Sequence, residues 1–402
     1  MIKLDEEKVL RDPIHGYVRV EDEVVWRCIG TREFQRLRRI HQLGSTPMVY
    51  HSGDHSRFSH CLGTYEIVRR MVSEVEDLKN SLSDYEKITV MLAGLLHDVG
   101  HAPFSHSFEK ILGCNHEKYT IQLIRQDSEI HTVLRDYGED LADDVASIID
   151  WTHPNKILCQ LVSSQLDADR MDYLLRDSYF TGTKYGEFDL ERVLRTLRVA
   201  DGRVVTKASG MHTIEDYIMA RYHMYWQVYY HPVSRSYDTL LKMVFRRLVD
   251  FYQDDPAIAR EYPMFRPLLE KRELNNQEYA EMDDSTCFYG FHQMEKGSDK
   301  ILADLARRIL CRDLFEYAPL DHLEEVREKL KQRGLDERYY LYTDHQSQDP
   351  YIRPYSDNDD HSICMLLNDG RIAELSTVSN IVWALTHGAE SEDSLVFYPK
   401  EG

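Results

Sequence analysis

The sequence predicts a mostly α-helical protein with a small mixed α+β C-terminal region. Three observations lead there. An apolar run from Ile88 to Leu96 has the length of a buried helix. Apolar residues return at helical spacing in Phe34, Leu37, Ile40 and Leu43, and again across Leu302 to Leu310 and Leu323 to Leu330. From about residue 338 the pattern changes to strand-like runs with a tight hairpin between them.

In chain order, residues 1–25 read as a strand-and-turn entry, with Arg11-Asp12-Pro13-Ile14-His15-Gly16 as the turn and Tyr17-Val18-Arg19-Val20 behind it. Thr31 caps the helix of Phe34, Leu37, Ile40 and Leu43, which also carries Arg32, Arg36, Arg38 and Arg39. That basic cluster is either a solvated face or an anion-binding one. A second apolar helix starts near Arg57 and His60, which share a face three residues apart. The Ile88–Leu96 helix ends in His97 and Asp98, and Gly100 and Pro103 break it. His116 and Glu117 open another helix, either as a proton carrier with its carboxylate or for dipole reasons alone. Amphipathic helices fill 118–160, broken at Trp151-Thr152-His153-Pro154. In Ser164–Asp177, Asp169, Tyr173 and Asp177 share a stripe at i, i+4 and i+8, on a helix that is ion-paired and exposed or partly buried around a site. Val199 to Val205 forms a hairpin about Asp201-Gly202, and Asp254-Asp255-Pro256 starts a further helix. Tyr339-Tyr340-Leu341-Tyr342, Ile363–Leu367 and Ile372–Leu375 read as strands, and Tyr351 to Asp360 as a loop.

A chain of 402 residues can bury a substantial core, in one large domain or two. With 42% hydrophobic and 29% charged residues it reads as soluble and globular. The opening Met1-Ile2-Lys3-Leu4-Asp5-Glu6-Glu7 has no apolar core of signal-peptide length, and no window approaches a membrane span, so a cytoplasmic protein with no membrane partner is expected. Seven cysteines, odd in number and never spaced CxxC, fit a reducing cytosol and argue against a thiolate zinc site. The net charge of −20 repels nucleic-acid backbones, so nucleic acid is not expected as a partner. A local pocket of Arg, Lys and His can still hold a small phosphate ligand.

The chemistry concentrates in Gly94–His106. His97, Asp98, His101 and His106 crowd the end of an apolar helix, where burial is costly unless something pairs with them. A divalent cation is the natural partner, since imidazole with carboxylate suits Zn, Mn, Fe or Mg. His60, at the edge of its own buried helix, is the natural extra ligand, and Arg57 is placed to meet a phosphate bidentately.

Asp12-Pro13-Ile14-His15-Gly16, Phe34-Gln35-Arg36-Leu37-Arg38, Gln42-Leu43-Gly44, Arg57-Phe58-Ser59-His60, His97-Asp98-Val99-Gly100-His101 with Pro103-Phe104-Ser105-His106, and Asp167-Ala168-Asp169-Arg170-Met171-Asp172-Tyr173 occur in that order. The set resembles the HD-domain deoxynucleoside triphosphate triphosphohydrolases (dNTPases), in the branch containing the sterile-alpha-motif-and-HD-domain enzyme. It covers roughly residues 8–245, with a weaker echo at Arg312-Asp313-Leu314-Phe315.

The resemblance implies an HD-domain catalytic core over residues 1–245 and a C-terminal region, 246–402, for oligomer or regulatory contacts. It implies His60, His97, Asp98 and Asp169 as ligands of a divalent metal (Mn, Mg, Fe, Zn or Ni). Arg57, Arg170 and Tyr173 match triphosphate contacts. Gln42, Leu43 and Asp177 match positions that sense the deoxyribose and its 3′-hydroxyl. The Arg221, Tyr225 and Tyr229 stripe falls where the family holds triphosphate and sugar, and the Tyr229 ring leaves no room for a 2′-hydroxyl. A metal-activated water attacks the α-phosphorus, and His106, oriented by Glu109, protonates the departing 5′-oxygen. His101, His116 and Glu117 stabilise phosphoryl charge or relay protons. The products are a deoxynucleoside and inorganic triphosphate.

A dNTP or GTP activator is also implied, with Arg11, Arg38 and Arg312 supplying charge at an allosteric site. Two departures bear on guanine specificity: Gly30 stands where vertebrate members hold an acidic residue, and Glu316 where they hold a basic one. A homo-oligomer, tetramer or dimer, is expected. The rival readings are an HD phosphohydrolase acting on another nucleotide, which would release free phosphate, and a catalytically silent nucleotide sensor, which would bind without turnover.

Overall fold

The protein, here a computed structural model, is described over residues 2–105, 115–270, 274–347, 361–387 and 392–400. The described residues are mostly helical, with three small sheets among them. The entry hairpin pairs β1 (Lys3–Asp12) with β2 (Gly16–Asp22), closing at Asp12↔Gly16. The Asp12 carboxylate accepts from the backbone of Ile14 (2.9 Å) and His15 (3.0 Å), a turn that Asp favours, and it carries the His15 side chain inward.

Thr31 caps a helix as expected, but the helix covers only Arg32–Arg36 and a 3₁₀ turn takes Leu37–Arg39. Ile40 is extended and Leu43 lies in a loop, not on a helical face. The reason is a backbone bridge to the next element. The N–H of Arg57 donates to the Ile40 carbonyl (2.9 Å) and that of Gln42 to the His55 carbonyl (2.9 Å), which demands extended backbone at 40–42.

Two helices then form the heart of the core: α1 (Arg57–Glu74), buried along most of its length, and α2 (Asp84–Leu96). A capping box between Ser83 and Glu86 starts α2, and its run from Ile88 to Leu96 is wholly buried. The helix stops at Leu96, so His97 and Asp98 stand in the turn at its tip. Next, α3 (His116–Arg125) is capped by Asn115, and helices Glu129–Tyr137, Leu141–Ile149 and Lys156–Val162 follow, with the expected break at Trp151 (φ +62°). Helix α4 (Ala168–Thr181) begins on an Asp167 cap and ends at left-handed Gly182. The expected hairpin about Asp201-Gly202 is β3 (Leu197–Ala200) with β4 (Arg203–Lys207).

Helix α5 (Met211–Met224) runs into a π-helical turn at Tyr225–Tyr229, and α6 (Pro232–Asp254) follows. Asp254-Asp255-Pro256 ends this long helix, the proline preventing α6 from continuing, and the further helix expected after it is a single short turn over Ile258–Glu261. Beyond it lie α7 (Asn276–Glu281) and α8 (Asp284–Met294). Strands β5 (Glu316–Pro319), β6 (Tyr342–Ser347) and β9 (Glu392–Tyr398) make a sheet ordered β5-β9-β6. The expected hairpin at 363–375 is β7 (Cys364–Leu366) and β8 (Ile372–Glu374), and β7 pairs in parallel with β4. Tyr339 and Tyr340 are not in a strand: Asp336 caps a one-turn helix over Glu337–Tyr340, and both rings are buried. The loop expected at Tyr351–Asp360 lies outside the described residues, apart from which no described helix is long and apolar enough to cross a membrane.

The apolar core falls into two clusters. One is built on α1, α2 and α4 and reaches Met365 and Leu375. The other is built on α6 and α8 and takes in Ala102 and Phe104 from the turn after α2.

Candidate active site

Three elements meet over the tip of α2. Helix α1 delivers His60, the turn after α2 delivers His97 and Asp98, and the first turn of α4 delivers Asp169. The Nε2 atom of His60 lies 3.1 Å from Asp169 Oδ1 and 3.6 Å from Asp98 Oδ2, while Nε2 of His97 lies 3.4 Å from Asp98 Oδ1 and 3.6 Å from Asp169 Oδ1. Each imidazole is fixed through its other nitrogen, His60 Nδ1 to Asp172 (2.8 Å) and His97 Nδ1 to the Gly94 carbonyl (2.9 Å). Both Nε2 atoms are thus aimed at one point, and both are buried without a hydrogen-bond partner among the described residues. Buried acceptors left open beside two carboxylates are what a divalent cation satisfies, and His60, His97 and Asp169 offer ligand atoms within 4.8 Å of one another.

The electrostatics agree. Burial alone would depress the His60 imidazole, but the Asp169 and Asp172 carboxylates raise it to about 10. Burial would raise Asp169, yet His60 and His97 hold it far below the usual carboxylate range. Asp98 is also driven down against burial, by His97, Arg57 and His101. On each group the opposite charge of its neighbours outweighs the cost of burial, so the carboxylates stay ionised and available to a cation.

Asp98 faces a second group as well. Its Oδ1 lies 3.2 Å from His101 Nε2, and the His101 ring stacks on that of His116 at 3.9 Å. Burial, with Arg57 close by, keeps the His101 imidazole well below its ordinary pKa. Glu117 is exposed on the first turn of α3, whereas His116 is half-buried. His106 and Glu109 lie outside the described residues.

What holds His60 was not anticipated from sequence. Asp172 is fully buried and accepts from His60, from His15 Nε2 (2.6 Å) and twice from Arg176 (2.8 Å each); Arg176 also donates to Asp12 (2.9 Å). The entry hairpin therefore orients a metal-ligand candidate through Asp172. Gly63 makes room for this: a Cβ there would sit 1.8 Å from Asp172 Oδ1 and 2.4 Å from Arg176 Nη2. Gly63→Ala is expected to displace Asp172, costing about 1–3 kcal/mol of overpacking, and weakening Mn²⁺ binding in a calorimetric titration.

Beside the cluster opens a cavity of about 440 Å³, lined by seven of the nine substrate-contact candidates: Gln42, Leu43, Arg57, Tyr173, Asp177, Tyr225 and Tyr229. Arg57 joins cavity and cluster, pairing with Asp98 and donating from Nε to Ser105 Oγ (2.8 Å). The Tyr229 hydroxyl donates to Asp177 Oδ2 (2.7 Å), and Asp177 Oδ1 meets His55 Nε2 (2.8 Å). The π-turn keeps Tyr225 and Tyr229 together, ring centroids 5.0 Å apart, with Tyr173 edge-on to Tyr229 at 6.3 Å. Arg170 and Arg221 lie outside the lining. Arg170 Nε and Arg221 Nε and Nη1 are nonetheless buried without partners among the described residues, donors suited to an anion. From the C-terminal region Asp344 and Gln346 join the wall, with Arg235 Nε bound to Asp344 (2.9 Å); no sequence pattern marks these residues. Arg11, Arg38 and Arg312 are exposed and locally engaged, Arg11 with Tyr17, Arg38 over the Phe58 ring and Arg312 with the Met48 carbonyl.

A helical core that gathers His, His-Asp and a distant Asp at the foot of a tyrosine-lined cavity defines a metal-dependent phosphohydrolase of the HD type. The HD domain model matches residues 57–177, and the HD associated region residues 188–264. The uncharacterized protein YwfO of Bacillus subtilis is 44% identical over 99% of this chain and 94% of its own length. Human deoxynucleoside triphosphate triphosphohydrolase SAMHD1 is 26% identical over 79% of this chain and 55% of that protein. The crystal structure of a phosphohydrolase from Bacteroides thetaiotaomicron superposes with a TM-score of 0.82 at 27% identity, covering 98% of this chain and all of that one. The chain belongs to the HD-domain, dNTPase-like family.

Proposed function

We propose that this protein hydrolyses deoxynucleoside triphosphates to a deoxynucleoside and inorganic triphosphate. The observation that carries the reading is the Tyr229–Asp177 pair, which lines the same cavity as Arg57, the residue bound to Asp98. A polar and aromatic floor thus lies next to the Arg57 guanidinium and the His–Asp cluster, an arrangement that supports a sugar and phosphate reading.

Held by His60, His97, Asp98 and Asp169, a divalent ion (Mn, Mg, Fe, Zn or Ni) would supply Lewis acidity and a water of lowered pKa. The protein's own groups do the rest. Arg57, Arg170 and Arg221 bind the triphosphate and offset its negative charge while the nucleoside departs, with Tyr173 as a further triphosphate contact. Asp177 accepts from the 3′-hydroxyl, Gln42 and Leu43 border the sugar, and the Tyr229 ring, with Tyr225 beside it, excludes a 2′-hydroxyl. Water oxygen bonds to the α-phosphorus as its bond to the 5′-oxygen breaks, and the proton for that oxygen comes from His106, oriented by Glu109. His101, His116 and Glu117 stabilise the phosphoryl charge or relay the proton. A dNTP or GTP activator near Arg11, Arg38 and Arg312, a homo-oligomeric assembly and a cytoplasmic location complete the reading.

The test is a product assay with each dNTP and NTP, singly and in pairs, in Mn²⁺ or Mg²⁺, resolving triphosphate, pyrophosphate and phosphate. Triphosphate from dNTPs but not NTPs is expected, with Tyr229→Ala relaxing the preference. Free phosphate instead would point to another nucleotide substrate. Tight nucleotide binding without turnover would point to a sensor.

A further inference from the structure

The turn after α2 has an unusual backbone. Phe104 and Ser105 are consecutive non-glycine residues at φ +54° and +53°, a conformation that side-chained residues avoid unless their surroundings impose it. What imposes it here comes from the C-terminal region. Asp284, the first residue of α8, is 2% exposed and has both carboxylate oxygens engaged. Oδ1 accepts the Phe104 N–H (2.8 Å), and Oδ2 accepts the His41 N–H (2.9 Å) and meets His41 Nδ1 (2.5 Å). The Phe104 ring packs on Phe288 and Phe291 of the same helix, and its carbonyl closes on Gly44, where a Cβ would sit 2.4 Å from the oxygen.

The consequences reach the reacting end of the site. Ser105 Oγ donates to the His41 carbonyl (2.7 Å) and accepts from Arg57 Nε (2.8 Å), and Arg57 is the group bound to Asp98. A short, fully hydrogen-bonded path therefore runs from α8 to the arginine that joins cavity and cluster. A parallel tie holds the other side of the turn: the Tyr279 hydroxyl of α7 donates to the Gly100 carbonyl (2.5 Å).

We propose that Asp284 is a positioning residue for hydrolysis, holding the left-handed Phe104–Ser105 turn and through it the orientation of Arg57. On this proposal the C-terminal region sets the geometry of the active site and is not only a surface for assembly. The proposal rests on the phosphohydrolase reading but not on the choice of dNTP.

The experiment compares full-length Asp284→Ala, Asp284→Asn and Asp283→Ala with the wild type. Asp283 is the control: it caps the same helix at Thr286 and pairs with Arg39, without touching Phe104. Hydrolysis of bis(p-nitrophenyl) phosphate in Mn²⁺ reads kcat and KM, calorimetry reads Mn²⁺ affinity, and hydrogen–deuterium exchange reads the 99–105 backbone without any substrate. Asp284→Ala is expected to lower kcat about 100-fold, as a misplaced catalytic arrangement does, with Mn²⁺ affinity retained and exchange at Phe104 and Ser105 accelerated. Asp284→Asn, which keeps an acceptor for Phe104, should recover part of kcat. Asp283→Ala should lower Tm while leaving kcat and turn exchange at wild-type values. Unchanged exchange at Phe104 in Asp284→Ala overturns the proposal, as does an equal loss of kcat in Asp283→Ala. Accelerated exchange with an ester that even the wild type does not cleave would count against the activity reading and leave the anchoring of the turn established.

Discussion

Replacing Asp172 with alanine is expected to remove about 3–5 kcal/mol of stability and to weaken divalent-metal binding by about 10- to 100-fold. The first effect follows from what is left behind. Arg176 is wholly buried, and two of its three hydrogen bonds to carboxylates end on Asp172; without it, only Asp12 remains. An uncompensated guanidinium in a packed core costs more than the intact pair contributes, because the desolvation has already been incurred. The second effect follows from geometry. Asp172 holds His60 by Nδ1, and without that bond the ring is free to turn its Nε2 away from Asp169 and Asp98. Chemical denaturation and Mn²⁺ titration read the two effects separately. Wild-type stability in Asp172→Ala would mean that Asp12 alone satisfies Arg176. Asp172→Asn, which retains the shape and one acceptor oxygen, should fall between.

This network also marks the limit of what the chain discloses when read as a string. The helices that carry the site were legible, because the Ile88–Leu96 run and the apolar stretch after His60 are each buried along most of their length, and a local capping box starts α2. His60, His97 and Asp98 stood out as metal-ligand candidates because His and Asp at the ends of apolar runs demand a partner, whereas Asp169 entered through the family resemblance. Asp12, His15 and Arg176 were not legible, although all were in view. The Asp12–Gly16 segment reads as a turn, which it is, and nothing local states that its imidazole meets a carboxylate 157 residues later. The Asp172–Arg176 spacing looks like an ordinary i, i+4 surface pair; only the buried neighbours Met171 and Leu174 hinted otherwise.

The misread elements have different causes. Leu43 was placed on a helix because its spacing from Ile40 is helical, but a backbone bridge to the loop before α1 pulled the chain straight. Tyr339 and Tyr340 were placed in a strand on propensity, but an Asp336 cap and two adjacent buried rings make a helical turn. In the C-terminal region no pattern pointed to Asp344, Gln346 or Asp284, because their significance lies in what they face. Local propensity is a weak prior wherever a distant partner fixes the backbone.

Asp98→Ala carries the largest expected effect on activity, a fall on the order of 1,000-fold, equivalent to several kcal/mol of lost transition-state stabilisation. Among the described residues, Asp98 is the carboxylate that faces both histidine groups: it is 3.4 Å from His97, 3.6 Å from His60 and 3.2 Å from His101. It also holds Arg57, so its removal disturbs the phosphate side and the metal side together. A thermal measurement separates the two. A ligand that binds the folded state alone raises Tm in proportion to the logarithm of its concentration over Kd. Mn²⁺ should therefore raise the Tm of the wild type and fail to raise that of Asp98→Ala, whereas Arg57→Ala should lose turnover and keep the metal-dependent gain. If Asp98→Ala instead keeps the full gain, then His60, His97 and Asp169 bind the ion by themselves, and Asp98 acts with His101 and His116 on the phosphoryl group.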